Sequence, residues 1–423
     1  MNRRTFLGTS AASLAGLGLT SSLAPSLAAP ATGDLKFLFV FNNGGWDPTR
    51  VFADAFDNSS VDMERAAERS NAGEIVYVSH RDRPSVDSFM SAHHQDMLVL
   101  NGMQVRSIAH DICTMLALTG GTSGQTPDWA TLIAANAPES LTLPHLVLGG
   151  PSFSGDLGAL VARTGANGQL EGLLSGDVLA WSDTPVEGIS SMAEGVIDRY
   201  VQRRASARAS ISDSGRDLAL AGAFAESLDK SLGLKNYRYV MDFSGGSTLA
   251  SQAVVAADAL SLGLSRCVSL GYPDASVGLG WDSHAENDDT QSGLWEGLFQ
   301  NLLQIMEILG STPGTGLGSL ADETVVVVLS EMGRTPQLNG TNGKDHWPYT
   351  SAMILGPGFT GDRVVGGWDE RYYGNEIDPT TAEIVAKGDL LTVEGLGGAL
   401  LTLADIDPYE HISGAEPLLG VLS

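Results

Sequence analysis

The chain has 423 residues, of which 43% are hydrophobic and 17% are charged, so it is long enough to fold around a large core. Acidic side chains outnumber basic ones by 50 to 24, and the formal net charge is −26. We therefore expect no binding to nucleic acid, because phosphates require a basic surface, and no attraction to an anionic membrane.

The first 29 residues predict an export signal. Arg3 and Arg4 precede a weakly apolar stretch over residues 8–23, and small residues follow up to Ala29. A charged start, an apolar middle and a small-residue cleavage site are typical of a secretory signal, and paired arginines before Phe-Leu are typical of the twin-arginine type. We expect the twin-arginine export machinery to recognise this segment, leaving a periplasmic or extracellular protein with no membrane span after cleavage.

Apolar runs and helical spacing alternate along the rest of the chain. The runs predict strands over residues 35–41, 75–78, 97–102, 146–150, 178–181, 267–270, 325–329 and 351–355. Helices are predicted over residues 63–70, 88–96, 107–119, 249–262, 294–309 and 389–404, with another after Asp128. Unbroken apolar strands separated by helices favour one α/β domain over residues 30–423 with a mainly parallel central sheet.

Residues 188–235 differ in composition from their surroundings. Ala, Ser, Arg, Glu and Asp dominate, and apolar residues recur every three or four positions. We interpret this segment as one long helix or a helix pair, inserted over one face of the sheet, with its arginines on a solvated face. The two cysteines, Cys113 and Cys267, lie in predicted core elements and are expected to be buried and free.

Two polar segments follow predicted strands early in the chain. Asn43 and Asp47 flank a Gly-Gly pair after the first strand, where a plain Asn-Gly turn is the alternative interpretation. His110 stands near the start of the helix over residues 107–119, and it is either a structural hydrogen-bonding group or a proton carrier in a site.

Two later segments carry the residue types that hold metals. Asp282 and His284 lie two apart after the strand over residues 267–270. Glu331 follows the strand of valines, and the next loop brings Asp345 and His346. Carboxylate oxygen and imidazole nitrogen suit Zn, Mn or Fe, whereas Ca and Mg prefer oxygen alone. The alternative is a surface loop with a capping Asp and a packed His.

The order of these motifs resembles a family of exported bacterial proteins, the domain of unknown function 1501. The motifs are Gly-Gly-Trp-Asp-Pro over residues 44–48, Gly-Trp-Asp-Ser-His over residues 280–284, Ser-Glu-Met-Gly-Arg-Thr-Pro over residues 330–336, and Lys-Asp-His over residues 344–346. The family looks distantly similar to the alkaline phosphatase and sulfatase superfamily. That similarity implies a three-layer sandwich with metals at the carboxyl edge of the sheet.

The superfamily pattern matches this sequence in part. Asp282 and His284 match its Asp/His pair, and His346 matches its last histidine before a strand that ends in Gly-Pro-Gly. Asn43 stands where its first strand normally ends in a metal-binding Asp, and His110 stands at or near the place of its nucleophile. These departures argue against a two-metal site and against a covalent enzyme intermediate.

The leading hypothesis is an exported hydrolase that acts on an anionic small-molecule or polysaccharide ester with one divalent metal, Zn, Mn, Fe or Ca. Asp282, His284 and His346 would hold the metal with Glu331 or Asp345. The predicted catalytic residues are Arg334, as a clamp on phosphate or sulfate, and His110, as a proton shuttle. The rival hypothesis is a non-catalytic relative that binds a partner or polysaccharide at the cell surface. A third hypothesis is a purely structural site, in which the cation only holds two loops together.

Overall fold

The computed structural model describes residues 32–138, 140–164, 189–211, 214–237, 240–241, 248–273, 278, 280–316 and 318–423. The predicted export signal and the predicted strand over residues 178–181 lie outside these ranges. Among the described helices, none is both long enough and apolar enough to cross a membrane.

Fifteen strands are present in the described residues. They are β1 Lys36–Asn42, β2 Glu68–Ala72, β3 Ile75–Ser79, β4 Met97–Gln104, β5 His145–Val147, β6 Val161–Arg163, β7 Cys267–Tyr272, β8 Thr324–Ser330, β9 Gly333–Arg334, β10 His346–Trp347, β11 Tyr349–Leu355, β12 Arg363–Gly366, β13 Glu376–Asp378, β14 Glu383–Ile384 and β15 Asp389–Leu390. The α-helices are α1 Pro84–His93, α2 His110–Thr119, α3 Trp129–Ala135, α4 Ser191–Ile211, α5 Gly215–Leu234, α6 Leu249–Ser261, α7 Asn287–Ser311 and α8 Val393–Leu403.

The central sheet has eight strands in the order β12-β4-β11-β8-β1-β7-β5-β6. Neighbouring strands run parallel except at β11, which is antiparallel to both β4 and β8. The valine-rich strand β8 lies beside β1 near the middle of the sheet and is buried along its whole length. The predicted α/β fold with a mainly parallel sheet is therefore confirmed.

Helices cover both faces of the sheet, which gives three layers. Alternate residues of β1 point to opposite faces. Leu38 and Val40 pack into a core with α1, α6 and α7. Phe37 and Phe39 pack into a second core with α2, α3 and α8. The purely apolar sequence of the central strands follows from this double burial.

Three features differ from or refine the predictions. The helix predicted over residues 63–70 is wrong, because residues from Glu68 onward pair with β3 in a hairpin around Gly73, whose φ is +55°. The last helix begins at Val393, since Asp389 and Leu390 pair with β13. The segment predicted as one helix or two contains the pair α4 and α5, and its description as an inserted unit stays a prediction. Both cysteines are buried and free, as predicted.

The parallel strands end together at one edge of the sheet, the carboxyl edge. Asn42 and Ser330, the last residues of β1 and β8, are register partners. Gln104, the last residue of β4, pairs with Tyr349, the first residue of the antiparallel strand β11. Segments that leave β1, β4 and β8 and the segment that enters β11 therefore meet at this edge, where ligands bind in open α/β sheets.

A buried ion pair closes the opposite edge of the sheet. The Lys36 ammonium lies 2.9 Å from Glu323 Oε1, and both side chains are 8% exposed. Burial raises the pKa of Glu323, but the amide of Thr315 and the Lys36 ammonium outweigh burial and lower this pKa from its ordinary value. The pair therefore stabilises the fold above the unfolded carboxyl pKa, and this contribution disappears as the pH falls through the folded-state pKa.

We predict that Glu323→Gln lowers the free energy of unfolding by about 2 kcal/mol at pH 7, because a charge-assisted hydrogen bond is lost. The cost should shrink once acid protonates Glu323 in the wild type. Urea denaturation at pH 7 and pH 3.5 measures both values. Glu383→Gln is the control, since Glu383 is 73% exposed beside Arg363, and it should cost less than about 0.5 kcal/mol at either pH. A cost that does not change with pH would contradict this account of the pair.

Candidate functional site

One helix and two loops bring an aspartate and three histidines together at the carboxyl edge. His110 begins α2, Asp282 and His284 lie between β7 and α7, and His346 lies in β10. We call Asp282, His110, His284 and His346 the His–Asp cluster. One ligand atom each from His110, Asp282 and His346 lies within 4.8 Å of the other two.

Asp282 Oδ1 is the centre of the cluster. The Nε2 atom of each histidine points to it, at 3.1 Å for His284, 3.2 Å for His346 and 3.5 Å for His110. The Nε2 atoms of His284 and His346 lie 3.0 Å apart. The side chain of Asp282 is 22% exposed, so the cluster is open to a small ligand on one side.

The other ring nitrogen of each histidine is held by an acceptor. His110 Nδ1 lies 2.7 Å from Glu331 Oε1, and His284 Nδ1 lies 2.9 Å from Asp345 Oδ1. His346 Nδ1 lies 2.6 Å from the carbonyl oxygen of Ile108. A carbonyl or carboxylate oxygen only accepts, so each Nδ1 donates a proton.

These bonds assign the tautomers of the three rings. A neutral imidazole that donates from Nδ1 carries a lone pair on Nε2. Three lone pairs therefore face one carboxylate oxygen, and His110 Nε2 is buried without a hydrogen-bond partner. Acceptors that face acceptors repel one another unless a proton or a cation lies among them.

The charges at the cluster favour such a cation. Burial lowers the pKa of His110, but its hydrogen bond to Glu331 and the charges of Glu331 and Asp282 raise this pKa above its ordinary value. Burial raises the pKa of Asp282, but Arg334 and the histidines lower it below its ordinary value. The raised pKa of His110 means that positive charge on its ring is stabilised, and the lowered pKa of Asp282 means that its carboxylate stays ionised.

The distances also fit a metal ion. Ligand atoms about 2.0–2.1 Å from a tetrahedral zinc lie about 3.3 Å from one another. The three Nε2–Oδ1 distances and the Nε2–Nε2 distance between His284 and His346, 3.0–3.5 Å, lie around this value. Each histidine also donates its other ring nitrogen to an oxygen, which is the usual support of a metal-binding histidine.

Glu331 and Asp345, both predicted as ligands, lie behind histidines. Glu331 is fully buried, and besides His110 it accepts hydrogen bonds from the Gly44 amide, at 2.8 Å, and the Ser330 hydroxyl, at 3.0 Å. Asp345 is 60% exposed and holds His284. In this geometry Glu331 and Asp345 orient imidazoles, and their role as ligands stays a prediction. His110, predicted as a proton shuttle, lies among the possible ligands.

Arg334 does not occupy the place predicted for it. Its side chain is fully buried and donates to the carbonyl oxygens of Gly44, Gly45 and Lys344 and to Asp282 Oδ1, at 2.7 Å. All three of its nitrogens are engaged by the protein, so none is left to clamp an anionic ester. In this arrangement Arg334 fixes the carboxylate at the centre of the cluster, and its role as an anion clamp stays a prediction that these contacts do not favour.

The Gly-Gly turn after β1 makes this arrangement possible. Gly45 has φ +77°, and a Cβ there would lie 2.7 Å from Met332 Cγ and 3.3 Å from Arg334 Nη2. A side chain would therefore push Arg334 away from the turn. Asn43 donates to the carbonyl oxygen of Gly278 at 3.4 Å and is not part of the cluster.

A buried ion pair stabilises the two loops that carry Asp282 and His346. The Lys344 ammonium lies 2.9 Å from Asp47 Oδ2 and donates to the Thr49 hydroxyl, and both charged side chains are 0% exposed. The main chain of Lys344 bonds both loops, since its amide donates to Ser283 O at 3.0 Å and its carbonyl accepts from Arg334. Asp47 is therefore a structural residue.

Cys113 and Thr114, in the first turns of α2, are poorly suited to attack an ester. Burial raises the pKa of the Cys113 thiol to about 11, so little thiolate forms at neutral pH. The Thr114 hydroxyl donates to the carbonyl oxygen of His110 at 2.7 Å. Among the described residues, no hydroxyl or thiolate is thus directed at the cluster from the first turns of α2.

Sequence comparison shows the family. The model of the family described as "Protein of unknown function (DUF1501)" matches residues 37–388, and the chain belongs to this family, as predicted. Among curated proteins, no sequence matches the chain.

Several solved structures are similar to the chain at low sequence identity. Ps i-CgsB, solved with k-i-k-neocarrahexaose, is 10% identical, with a TM-score of 0.42 over 90% of this chain and 74% of that one. The lipoteichoic acid synthase LtaP from Listeria monocytogenes is 9% identical, with a TM-score of 0.41 over 91% and 76%. The phosphonate monoester hydrolase of Agrobacterium radiobacter is 11% identical, with a TM-score of 0.33 over 90% and 78%. At such scores, the site chemistry has to be worked out from this chain's own side chains.

We predict that Lys344→Met lowers the free energy of unfolding by about 3 kcal/mol, because it leaves the Asp47 carboxylate buried beside fewer positive charges. The double variant with Asp47→Asn should cost clearly less than the sum of the two single changes, since the pair is removed together. Urea denaturation of the four proteins measures this coupling. Strictly additive costs would show that the ion pair contributes nothing.

Proposed function

We propose that this chain is an exported protein that binds one divalent metal at the His–Asp cluster and hydrolyses an anionic ester there. The observation that carries the proposal is the convergence of three Nε2 lone pairs on Asp282 Oδ1. Each imidazole is oriented by an oxygen behind it, so the lone pairs are held in place at a cost that a cation would offset.

The donor set favours some metals over others. Three imidazole nitrogens and one carboxylate oxygen suit Zn, Mn or Fe. Calcium prefers six to eight oxygen ligands, so it fits the cluster less well than the other three metals named from the sequence. His110, Asp282, His284 and His346 would hold the metal.

The chain's own residues have three tasks in this proposal. Arg334 fixes Asp282, while Glu331 and Asp345 keep two imidazoles in the tautomer that presents Nε2. A bound divalent metal would supply Lewis-acid polarisation of an ester oxygen. Since the first turns of α2 offer no activated nucleophile, we propose that water attacks the ester directly and that no covalent enzyme intermediate forms.

A non-catalytic binding protein is the second candidate, and one observation favours it. Cys113 and Thr114, the two possible nucleophiles near the start of α2, are both disabled by their surroundings. In this alternative the metal binds a partner or polysaccharide at the cell surface, and no ester is hydrolysed.

We predict that Asp282→Ala and His346→Ala each abolish stoichiometric zinc binding, because each removes an atom from the centre of the cluster. His94→Ala is the control, since His94 lies against Asp362 outside the cluster. Calorimetric titration of each metal-free protein measures binding. If Asp282→Ala still bound zinc as the wild type does, the proposed site would be wrong.

An ester-hydrolysis assay distinguishes the two candidate functions, the hydrolase and the non-catalytic binding protein. If the protein is an enzyme, chelation should abolish hydrolysis of aryl sulfate or phosphate esters and added zinc should restore it. A metal-loaded protein that turns over no ester in a broad screen would favour the binding protein. In both cases chelation should lower the melting temperature, because a metal that binds only the folded state stabilises it.

We predict that Glu331→Gln lowers zinc affinity by about 10- to 100-fold, a typical cost of losing the group behind a metal-binding histidine. Gln keeps the size of Glu but removes the charge that favours the Nδ1 proton of His110. Glu323→Gln, at the opposite edge of the sheet, is the matched control and should leave zinc affinity unchanged. Equal affinities for the two variants would contradict the role of Glu331.

Export is a separate part of the proposal and rests on the first 29 residues of the sequence. Expression in a bacterium with an active twin-arginine pathway should yield periplasmic protein cleaved after Ala28 or Ala29. Intact mass spectrometry of the periplasmic fraction measures the new N-terminus, and protein that still begins at Met1 would contradict cleavage.

A further inference from the structure

We propose that the His–Asp cluster selects esters with a single negative charge, such as sulfate monoesters or phosphate diesters, over phosphate monoesters with two. This inference rests on the proposed function and narrows its substrate class. It follows from the charges that surround the cluster and from the absence of an accessible cation among the described residues.

The fixed charges at the cluster sum to a negative value. Asp282, Glu331 and Asp345 contribute three negative charges, and Arg334 contributes one positive charge. The sum is −3 + 1 = −2 with neutral histidines, so a divalent metal brings the site to zero. No surplus positive charge is left for a ligand.

Neither basic residue beside the cluster is able to contact a ligand. Arg334 has a 0% exposed side chain, and each of its nitrogens donates to a protein oxygen. Lys344 is likewise 0% exposed and is engaged by Asp47 and Thr49. Within the described ranges, no other Lys or Arg forms a hydrogen bond or an ion pair with the cluster or with the groups that hold its Nδ1 atoms.

The rest of the sequence offers few further cations. Apart from the predicted export signal, the residues outside the described ranges include one basic residue, Arg238. The segments over residues 165–188, 242–247 and 274–277 contain no Lys or Arg. Their six acidic residues are Glu171, Asp177, Asp183, Glu187, Asp242 and Asp274. The whole chain carries a formal charge of −26.

This charge distribution distinguishes ester anions by their charge. A sulfate monoester and a phosphate diester each carry one negative charge, whereas a phosphate monoester carries about 1.5 to 2 at neutral pH. The second charge must leave water, and it gains nothing unless a cation or strong donor meets it. Here no accessible cation meets it, and Asp345, which holds His284 Nδ1 and is 60% exposed, adds negative charge nearby, so the doubly charged ester is disfavoured.

Phenyl sulfate and phenyl phosphate test the inference, because they differ little in shape and by one charge at pH 8. Zinc-loaded protein of measured metal content is titrated calorimetrically with each compound. We expect phenyl sulfate to bind at least about tenfold more tightly. If the protein turns over either compound, kcat/KM should follow the same order. Equal or tighter binding of phenyl phosphate would overturn the inference.

A variant that removes one charge tests whether electrostatics causes the preference. Asp345→Asn removes one negative charge and keeps a side chain that can accept from His284 Nδ1, so it should narrow the preference by strengthening phenyl phosphate binding about threefold or more. Glu383→Gln removes a charge far along the chain and should leave the preference unchanged. An unchanged preference in metal-loaded Asp345→Asn would contradict the electrostatic cause.

The outcomes for the inference and for the proposed function are distinguishable. Zinc-loaded protein that prefers phenyl phosphate keeps the proposed function and rejects the charge selectivity. Zinc-loaded protein that binds neither compound rejects the ester-binding site itself, and the selectivity with it. Protein that takes up no zinc rejects the metal site before either compound is added.

Discussion

The site depends on one buried guanidinium, that of Arg334. It bonds the Gly-Gly turn after β1, the main chain of Lys344 and the carboxylate of Asp282. Three separate segments are thereby held at fixed distances at the carboxyl edge. A buried arginine is stable only when its donors are satisfied, so the turn, the loop and the carboxylate have to stay where they are for the fold to remain intact.

A second set of groups, the oxygens that accept from the Nδ1 atoms, orients the three imidazole rings. The oxygens behind the rings come from different sources: Glu331 at the end of β8, Asp345 in the loop before β10, and the backbone of Ile108. Because each oxygen belongs to an element of the sheet edge or to its loops, the fold itself determines which nitrogen of each ring carries the proton. The same elements leave the central side chains without a positive partner other than Arg334, so the proposed metal site and the proposed charge selectivity have one origin.

Much of the fold could be predicted from the sequence. Unbroken apolar runs such as residues 325–329 identify strands that are buried on both faces, and the Gly120 C-cap and the Asp128 N-cap mark helix ends as expected. The helix predicted over residues 63–70 failed because a hairpin depends on pairing with β3, which local spacing does not reveal. Helices from distant parts of the chain cover the central strands, yet the apolar composition of these strands alone indicates that both of their faces are buried.

The site was less predictable. Residue type and position after strands identified the cluster's members, since Asp282, His284 and His346 are of ligand-forming types. They did not reveal which side chains face the centre of the cluster and which lie behind a histidine. Glu331 was therefore predicted as a ligand although it holds His110 Nδ1, and His110 was predicted only as a proton shuttle. Arg334 follows a strand like a ligand-binding residue, but its burial depends on the Gly-Gly turn almost 290 residues earlier. The carbonyl oxygen of Ile108 has no sequence signal, because every residue carries one.

The most direct test of the account is the metal content of the protein, purified without chelators or a histidine tag. Inductively coupled plasma mass spectrometry should find close to one equivalent of zinc, manganese or iron per chain, and that metal should be missing from Asp282→Ala. Folded wild-type protein that contains no metal and takes none up would contradict the central claim, because the three converging Nε2 atoms would then have a purely structural explanation.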